Sequence, residues 1–188
     1  MQNEVISIIN ESIRIKEELK NQTSLIINIS KEIIKAYNNN KKVVIFGNGG
    51  SAADAQHITA EFVGKFYMER DSLPALALST NTSSITATAN DFGYDKVFER
   101  QVSSLVNQGD VVIGISTSGN SPNVIKGLEK AKEKGAITVG FTGSKENFIE
   151  KIVDYCIKVP SIDTPRIQEG HITIGHIICY LVEKEIFS

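Results

Sequence analysis

Between Asp110 and Gly135 the chain reads D-V-V-I-G-I-S-T-S-G-N-S-P-N-V-I-K-G-L-E-K-A-K-E-K-G, and no other stretch narrows its choice of fold as much. An apolar run, Val111 to Ile115, stops at small hydroxyl residues, and a helical pattern follows. The run is short and rich in β-branched residues, as a strand buried on both faces requires. Ser116, Thr117, Ser118, Gly119, Asn120 and Ser121 form the turn. Ser121 is placed to cap the next helix, with Pro122 at its first position. A donor-rich turn at a helix N-terminus suits a phosphate, although an ordinary capped turn has the same appearance.

The unit recurs along the chain. Val43 to Phe46 is another apolar run, ending in Gly47-Asn48-Gly49-Gly50-Ser51. A helix is predicted from Ala52 to about Phe66. Strands are expected at Leu73–Leu78, Ile137–Phe141 and Tyr155–Val159, with one or two helical turns over Ile85–Ala89. Helices are expected at Tyr94–Val106, Glu146–Lys151 and Thr164–Phe187. Strands alternating with helices across short Gly/Ser turns predict a parallel sheet covered on both faces. Its ligand loops gather at the strand C-terminal edge.

Residues 1–40 read differently. Ile6, Ile9, Ile13, Leu25, Ile29, Ile33 and Ile34 recur at helical spacing, with a break near Asn21–Ser24. This predicts a helical arm, residues 1–40, in front of an α/β unit at 41–188. The arm's apolar stripes need a partner surface, which another copy of the chain can supply.

Composition sets outer limits. The 188 residues are 41% hydrophobic and 22% charged, enough for one domain with a real core. The net charge of -2 comes with no basic stripe, so nucleic-acid binding is not expected. No apolar run approaches the ~18 residues of a membrane span, and the N-terminus M-Q-N-E-V lacks the basic and apolar regions of a signal peptide. Cys156 and Cys179 have no metal or redox spacing and read as reduced, buried thiols. A soluble, cytoplasmic protein is expected.

Three histidines are present. His57 lies four residues before Glu61 on the helix that leaves the Gly47 turn, so the two share a face. They read either as a surface pair or as metal ligands or an acid–base pair. Gln168 and His176 are two turns apart on the last helix, and His171 between them reads as a packed core residue or a site residue. Asn90-Asp91 is a helix-end turn or a ligand contact. The Gly47 loop has neither the Lys of a phosphate-binding loop nor the glycine spacing of a dinucleotide fold, so nucleotide cofactors are disfavoured.

Four segments in order, G-N-G-G-S-A-A-D-A-Q-H, A-N-D-F-G, G-I-S-T-S-G-N-S-P-N-V and T-P-R-I-Q-E-x-H-x-x-x-x-H, resemble the sugar isomerase (SIS) domain family, and within it the phosphoheptose isomerases. The resemblance covers nearly the whole chain. It implies a three-layer α/β/α domain with a five-stranded parallel sheet, assembled as a homotetramer with sites at subunit interfaces. It implies conversion of sedoheptulose 7-phosphate to D-glycero-D-manno-heptose 7-phosphate, the first step towards nucleotide-activated heptose for lipopolysaccharide or capsule.

By the same resemblance Ser116, Thr117, Ser118 and Ser121 bind the phosphate. Asn48, Gly49, Gly50, Asn90 and Asp91 hold the sugar. His57, Glu61, Gln168 and His176 hold one zinc ion per subunit, with Glu61 and His176 as the acid–base pair and Gln168 also against the substrate. Lys65 stands where some relatives carry Arg, and Gly170 and Gly175 interrupt the last helix. A non-catalytic scaffold of the same fold, like the DnaA initiator-associating protein, is the competing expectation.

Overall fold

The computed structural model describes residues 1–188. The expected alternation produces five parallel strands: β1 (Val43–Gly47), β2 (Ala75–Ala77), β3 (Val111–Ile115), β4 (Ile137–Gly143) and β5 (Tyr155–Val159). Their order across the sheet is β2-β1-β3-β4-β5. The chain therefore leaves β1 for one edge and returns on its other side, so the switch point lies between β1 and β3. Gly47 and Ile115 are register partners. The loops that follow them, Asn48–Gly49 and Ser116–Ser121, must emerge side by side at that point, where ligands of open α/β sheets bind.

Eight helices surround the sheet: α1 (Gln2–Leu19), α2 (Thr23–Asn38), α3 (Gly50–Val63), α4 (Thr82–Phe92), α5 (Val97–Leu105), α6 (Pro122–Glu133), α7 (Ile149–Ile152) and α8 (Thr164–Phe187). Alternate strand residues feed two cores. Val43, Ile45, Val111, Ile113 and Val139 pack with α2, α3 and α8 through Ile29, Ile33, Ile58, Phe62, Ile174 and Ile178. Val44, Phe46 and Val112 point the other way, onto α5 and α6 through Phe98, Val102, Val124 and Leu128. This is the three-layer α/β/α arrangement.

The arm divides where the break was expected, at a 3-10 turn over Lys20–Gln22. Its two helices differ in role. Ile26, Ile29 and Ile33 of α2 belong to the main core, whereas Val5, Ile6, Ile8, Ile9 and Ile13 of α1 face outward.

Several boundaries move for local reasons. Helix α3 starts at Gly50, because Gly49 makes the turn at φ 54° and frees the next residue for the helix. It stops at Val63, and the chain up to Arg70 is held by a buried carboxylate described below. Strand β2 is shorter than Leu73–Leu78; Pro74 has no N–H to give to a ladder, and its carbonyl accepts from the Val43 N–H at 3.1 Å. Helix α4 is longer than the expected one or two turns, since the Asn81 side chain caps it by accepting from the Ser84 N–H at 3.0 Å. The single helix expected over Tyr94–Val106 is a 3-10 turn, Tyr94–Lys96, followed by α5. Strand β4 runs two residues past Phe141 to Gly143, and α7 begins at Ile149 rather than Glu146.

Candidate active site

The hydroxyl loop is built first by its own residues. Ser116 Oγ lies 3.0 Å from Ser121 Oγ and 3.4 Å from Ser118 Oγ. Ser116 is buried, Thr117 and Ser121 are half-buried and Ser118 is exposed, so the three serine hydroxyls form a small polar step at the start of α6. Ser121 stands at the cap position, as expected, but its hydroxyl makes no capping bond and turns to Ser116 instead. Pro122 has no N–H, the Val124 N–H donates to Asn123 Oδ1 at 3.0 Å and the Ile125 N–H to Ser121 O at 3.0 Å, which leaves the Asn123 N–H of the first turn of α6 for an anion. The loop is braced from behind: the Gly143 N–H donates to Thr117 O at 3.1 Å and the Ile149 N–H to Gly119 O at 3.1 Å. Gly119 has φ 63°, and a Cβ there would overlap Asn147, so only glycine suits the position.

The Gly47 loop is tied to the first turn of α6 by a reciprocal amide pair. Asn48 Nδ2 donates to Asn123 Oδ1 at 2.9 Å, and Asn123 Nδ2 donates to Asn48 Oδ1 at 2.9 Å. The Tyr94 hydroxyl donates to the same Asn48 Oδ1 at 3.0 Å. The Asn48 side chain is thus committed largely to its neighbours. Asn123 and Tyr94 carry no mark in the sequence; an Asn beside a helix-initiating Pro reads as ordinary turn chemistry.

Helix α3 carries His57 and Glu61, and α8 carries His176. His57 Nε2 is 3.1 Å from Glu61 Oε1 and 3.3 Å from His176 Nε2. Ligand atoms of all three lie within 4.8 Å of one another. Two imidazole nitrogens that face each other at this distance need a proton or a cation between them, because two lone pairs would repel. Two imidazoles and a carboxylate are also a zinc donor set. The residues present therefore fit a divalent metal. Gln168, two turns before His176, rests against the start of α3: a Cβ on Gly50 would overlap its side-chain amide. The spacing of the two helices is set further along, where a Cβ on Gly175 would overlap Ile58. The two glycines inside α8 thus have separate jobs, since a Cβ on Gly170 would strike Val159 of β5.

The remaining candidates separate cleanly. Asn90 and Asp91 are exposed on α4; Asn90 Nδ2 donates to Asp91 Oδ1 at 2.8 Å, and within one chain neither bonds to the other site residues. His171 faces the sheet. It is fully buried against Phe141, and its Nε2 lies 3.2 Å from Thr142 O. Burial depresses its pKa to about 4, the bond to the Thr142 carbonyl opposing this only in part. It is a neutral core histidine. Lys65 is exposed.

Arg70 and Glu183 form a buried ion pair that sequence reading missed, each side chain only 2% exposed. A Glu in V-E-K-E-I looks like surface charge on the last turn of a helix. Burial raises the Glu183 pKa, but the Tyr67, Phe66 and Met68 N–H groups and Arg70 outweigh it, so the carboxyl sits below its ordinary value.

The hydroxyl loop borders a cavity of about 200 Å³ lined in part by Thr117, Ser118, Asn120, Ser144, Lys145 and Thr164.

The family follows from this fold and these loops together. Residues 9–143 match the SIS domain. The chain belongs to that family, in its phosphoheptose isomerase branch. It is 53% identical to a phosphoheptose isomerase of Aneurinibacillus thermoaerophilus over 190 residues, 100% of this chain and 96% of the relative. It is also 53% identical to phosphoheptose isomerase 2 of Campylobacter jejuni, over 95% of this chain and 90% of that one. Among solved structures, a phosphoheptose isomerase from Francisella tularensis matches with a TM-score of 0.94 at 32% identity, covering 97% of this chain and 98% of the other. That from Neisseria gonorrhoeae matches with a TM-score of 0.92 at 39% identity, over 97% and 98%.

Proposed function

We propose that the chain is an aldose–ketose isomerase that converts sedoheptulose 7-phosphate to D-glycero-D-manno-heptose 7-phosphate. The observation that carries this reading is the meeting of His57, Glu61 and His176 beyond a loop of three convergent serine hydroxyls, in a chain half identical to phosphoheptose isomerases along its length. The reaction moves a proton between C1 and C2 through an enediol. It needs one base for a carbon-bound proton and one acid for the oxygens.

In this reading Ser116, Thr117, Ser118 and Ser121, with the N-terminus of α6, bind the phosphate and fix the sugar's register. Gly49 and Gly50 let the chain backbone approach the sugar, and Asn48, Asn90, Asp91 and Gln168 hold its hydroxyls. Glu61 carries the proton between C1 and C2, and His176 serves a hydroxyl proton. His57, Glu61, His176 and Gln168 would hold the zinc, whose chemistry when bound is Lewis-acid stabilisation of negative charge on a substrate oxygen.

Assembly as a homotetramer belongs to the same proposal. The outward Val5, Ile6, Ile8, Ile9 and Ile13 of α1 support it. The substrate is a phosphorylated heptose, with neither nucleic acid nor membrane as partner; no helix is long and apolar enough to cross a membrane. The two free cysteines support a cytoplasmic setting. The product would enter nucleotide-activated heptose synthesis for lipopolysaccharide or capsule.

The test is direct. Purified protein is incubated with sedoheptulose 7-phosphate, with and without a chelator, and aldose formation is followed by NMR. Conversion is expected without chelator. No conversion by correctly assembled protein under either condition would sink the enzyme reading and favour the scaffold.

A further inference from the structure

The three residues at the centre of the site come from two helices, and something must hold those helices to a fraction of an ångström. Close packing at Gly175 and Ile58 sets how near α8 comes to α3. It does not fix rotation or sliding, because apolar contacts are not directional. The directional contact lies one step further along the same pair of helices.

Arg70 uses both ends of its guanidinium there. Its Nε donates to Glu183 Oε1 at 2.9 Å. Its Nη1 donates to Phe62 O at 2.8 Å and to Asp71 O at 2.9 Å, and its Nη2 donates to Glu61 O at 2.8 Å. The fork therefore caps the last turn of α3 at the backbone of Glu61 itself. Glu183 answers from α8. Besides Arg70 it accepts from the Phe66, Tyr67 and Met68 N–H groups at 2.9, 2.7 and 3.0 Å. Glu183 follows His176 by seven residues, two helical turns, so both project from one side of α8. The segment that Glu183 holds places the Phe66 ring 5.7 Å from the His176 ring. One buried pair thus reaches Glu61 through its carbonyl and His176 through a ring packed on it.

We infer that Arg70 and Glu183 are positioning residues for the His57, Glu61 and His176 group. A buried ion pair contributes little net stability over a well-packed apolar pair, so stability alone does not explain its place. What it supplies is fixed angles: a planar fork and a carboxylate with every bond specified. The inference rests on the metal site proposed above and deepens it.

The experiment uses the full chain and two probes, zinc alone and inorganic phosphate alone. Glu183→Gln keeps shape but turns an NH2 group towards N–H donors. Zinc affinity, measured by competition with a chelating dye, should fall ~10–100-fold, the range for lost outer-shell support. Inorganic phosphate affinity at the Ser116 loop should stay within about twofold, and kcat should fall while KM changes little. Arg70→Lys, which keeps the charge but loses the fork, should show the same split more mildly, and it decides the matter if Glu183→Gln does not fold. Zinc affinity within about twofold of wild type in a folded variant overturns the inference. So does an equal loss of zinc and phosphate affinity, which marks a merely structural role. Wild-type protein that binds no zinc would remove the metal site and this inference together. Wild-type protein that binds zinc yet converts no heptose phosphate would remove the proposed reaction, and the split in the variants would still decide the role of the pair.

Discussion

The hydroxyl loop and the His57–Glu61–His176 group are made in opposite ways. Ser116, Ser118 and Ser121 fall within six residues, and one turn between β3 and α6 brings their hydroxyls together. The other group joins residues 119 apart, His57 and His176, across two helices. The first is local chemistry on a rigid strand end. The second depends on every contact that seats α8 against α3. A local site tolerates small shifts of the rest of the fold; an assembled one does not. This suits their proposed roles, since an anchor needs only to hold a phosphate while a proton transfer needs reacting atoms in line.

The largest expected effect separates the two directly. Glu61→Gln should lower kcat about 10³-fold while leaving inorganic phosphate affinity unchanged, measured by steady-state kinetics and calorimetry. A Glu61→Gln enzyme with near-normal turnover would break the contrast, because the assembled group would then be doing no chemistry.

A second prediction concerns α8 itself, which carries His176 in the assembled group and His171 in the core. His171 is buried and stays neutral down to about pH 4, because burial disfavours its charged form. In the unfolded chain it takes a proton below about pH 6.5. Its contribution is therefore complete above about pH 6.5 and is lost as pH falls from there towards 4. The slope is about 1.4 kcal/mol per pH unit and the total about 3 kcal/mol. Urea unfolding at pH 7.5, 5.5 and 4.5 reads this, and equal stabilities at 7.5 and 5.5 would contradict the assignment of His171 to the core.

The smallest effect belongs to the anchor. Ser116→Ala removes one hydroxyl from a set of four and should raise KM roughly tenfold with kcat within about twofold, as expected for one hydrogen bond to a charged group. A kcat that falls as far as the Glu61 variant's would mean that the two regions are not separable.

How much was legible follows the same line. The helix Thr164–Phe187 and the strands Val111–Ile115 and Tyr155–Val159 were readable to the residue, since apolar periodicity and flanking turn residues agree there. Helix α4 was read short because T-S-S-I-T-A-T-A-N has few apolar positions and its Asn81 cap is easily taken for loop. Helix α3 was read late because a glycine in its first turn looks like more loop. The hydroxyl loop was legible as a place. That Ser121 turns its hydroxyl to Ser116 instead of the helix was not, because both choices use the same atoms.

Read alone, the chain determined the alternation of strand and helix, the two loops at one edge, and the His57–Glu61 face. All of these arise from neighbours within a few residues, where period and turn chemistry operate. Family resemblance paired His176 with that face, but only the tertiary structure showed the contact and sent His171 into the core. It alone joined Asn123 to Asn48 and drew Glu183 inside to meet Arg70. Each of those choices depends on which side of a helix meets which surface, and a polar residue is marked as buried only by the distant partner that satisfies it.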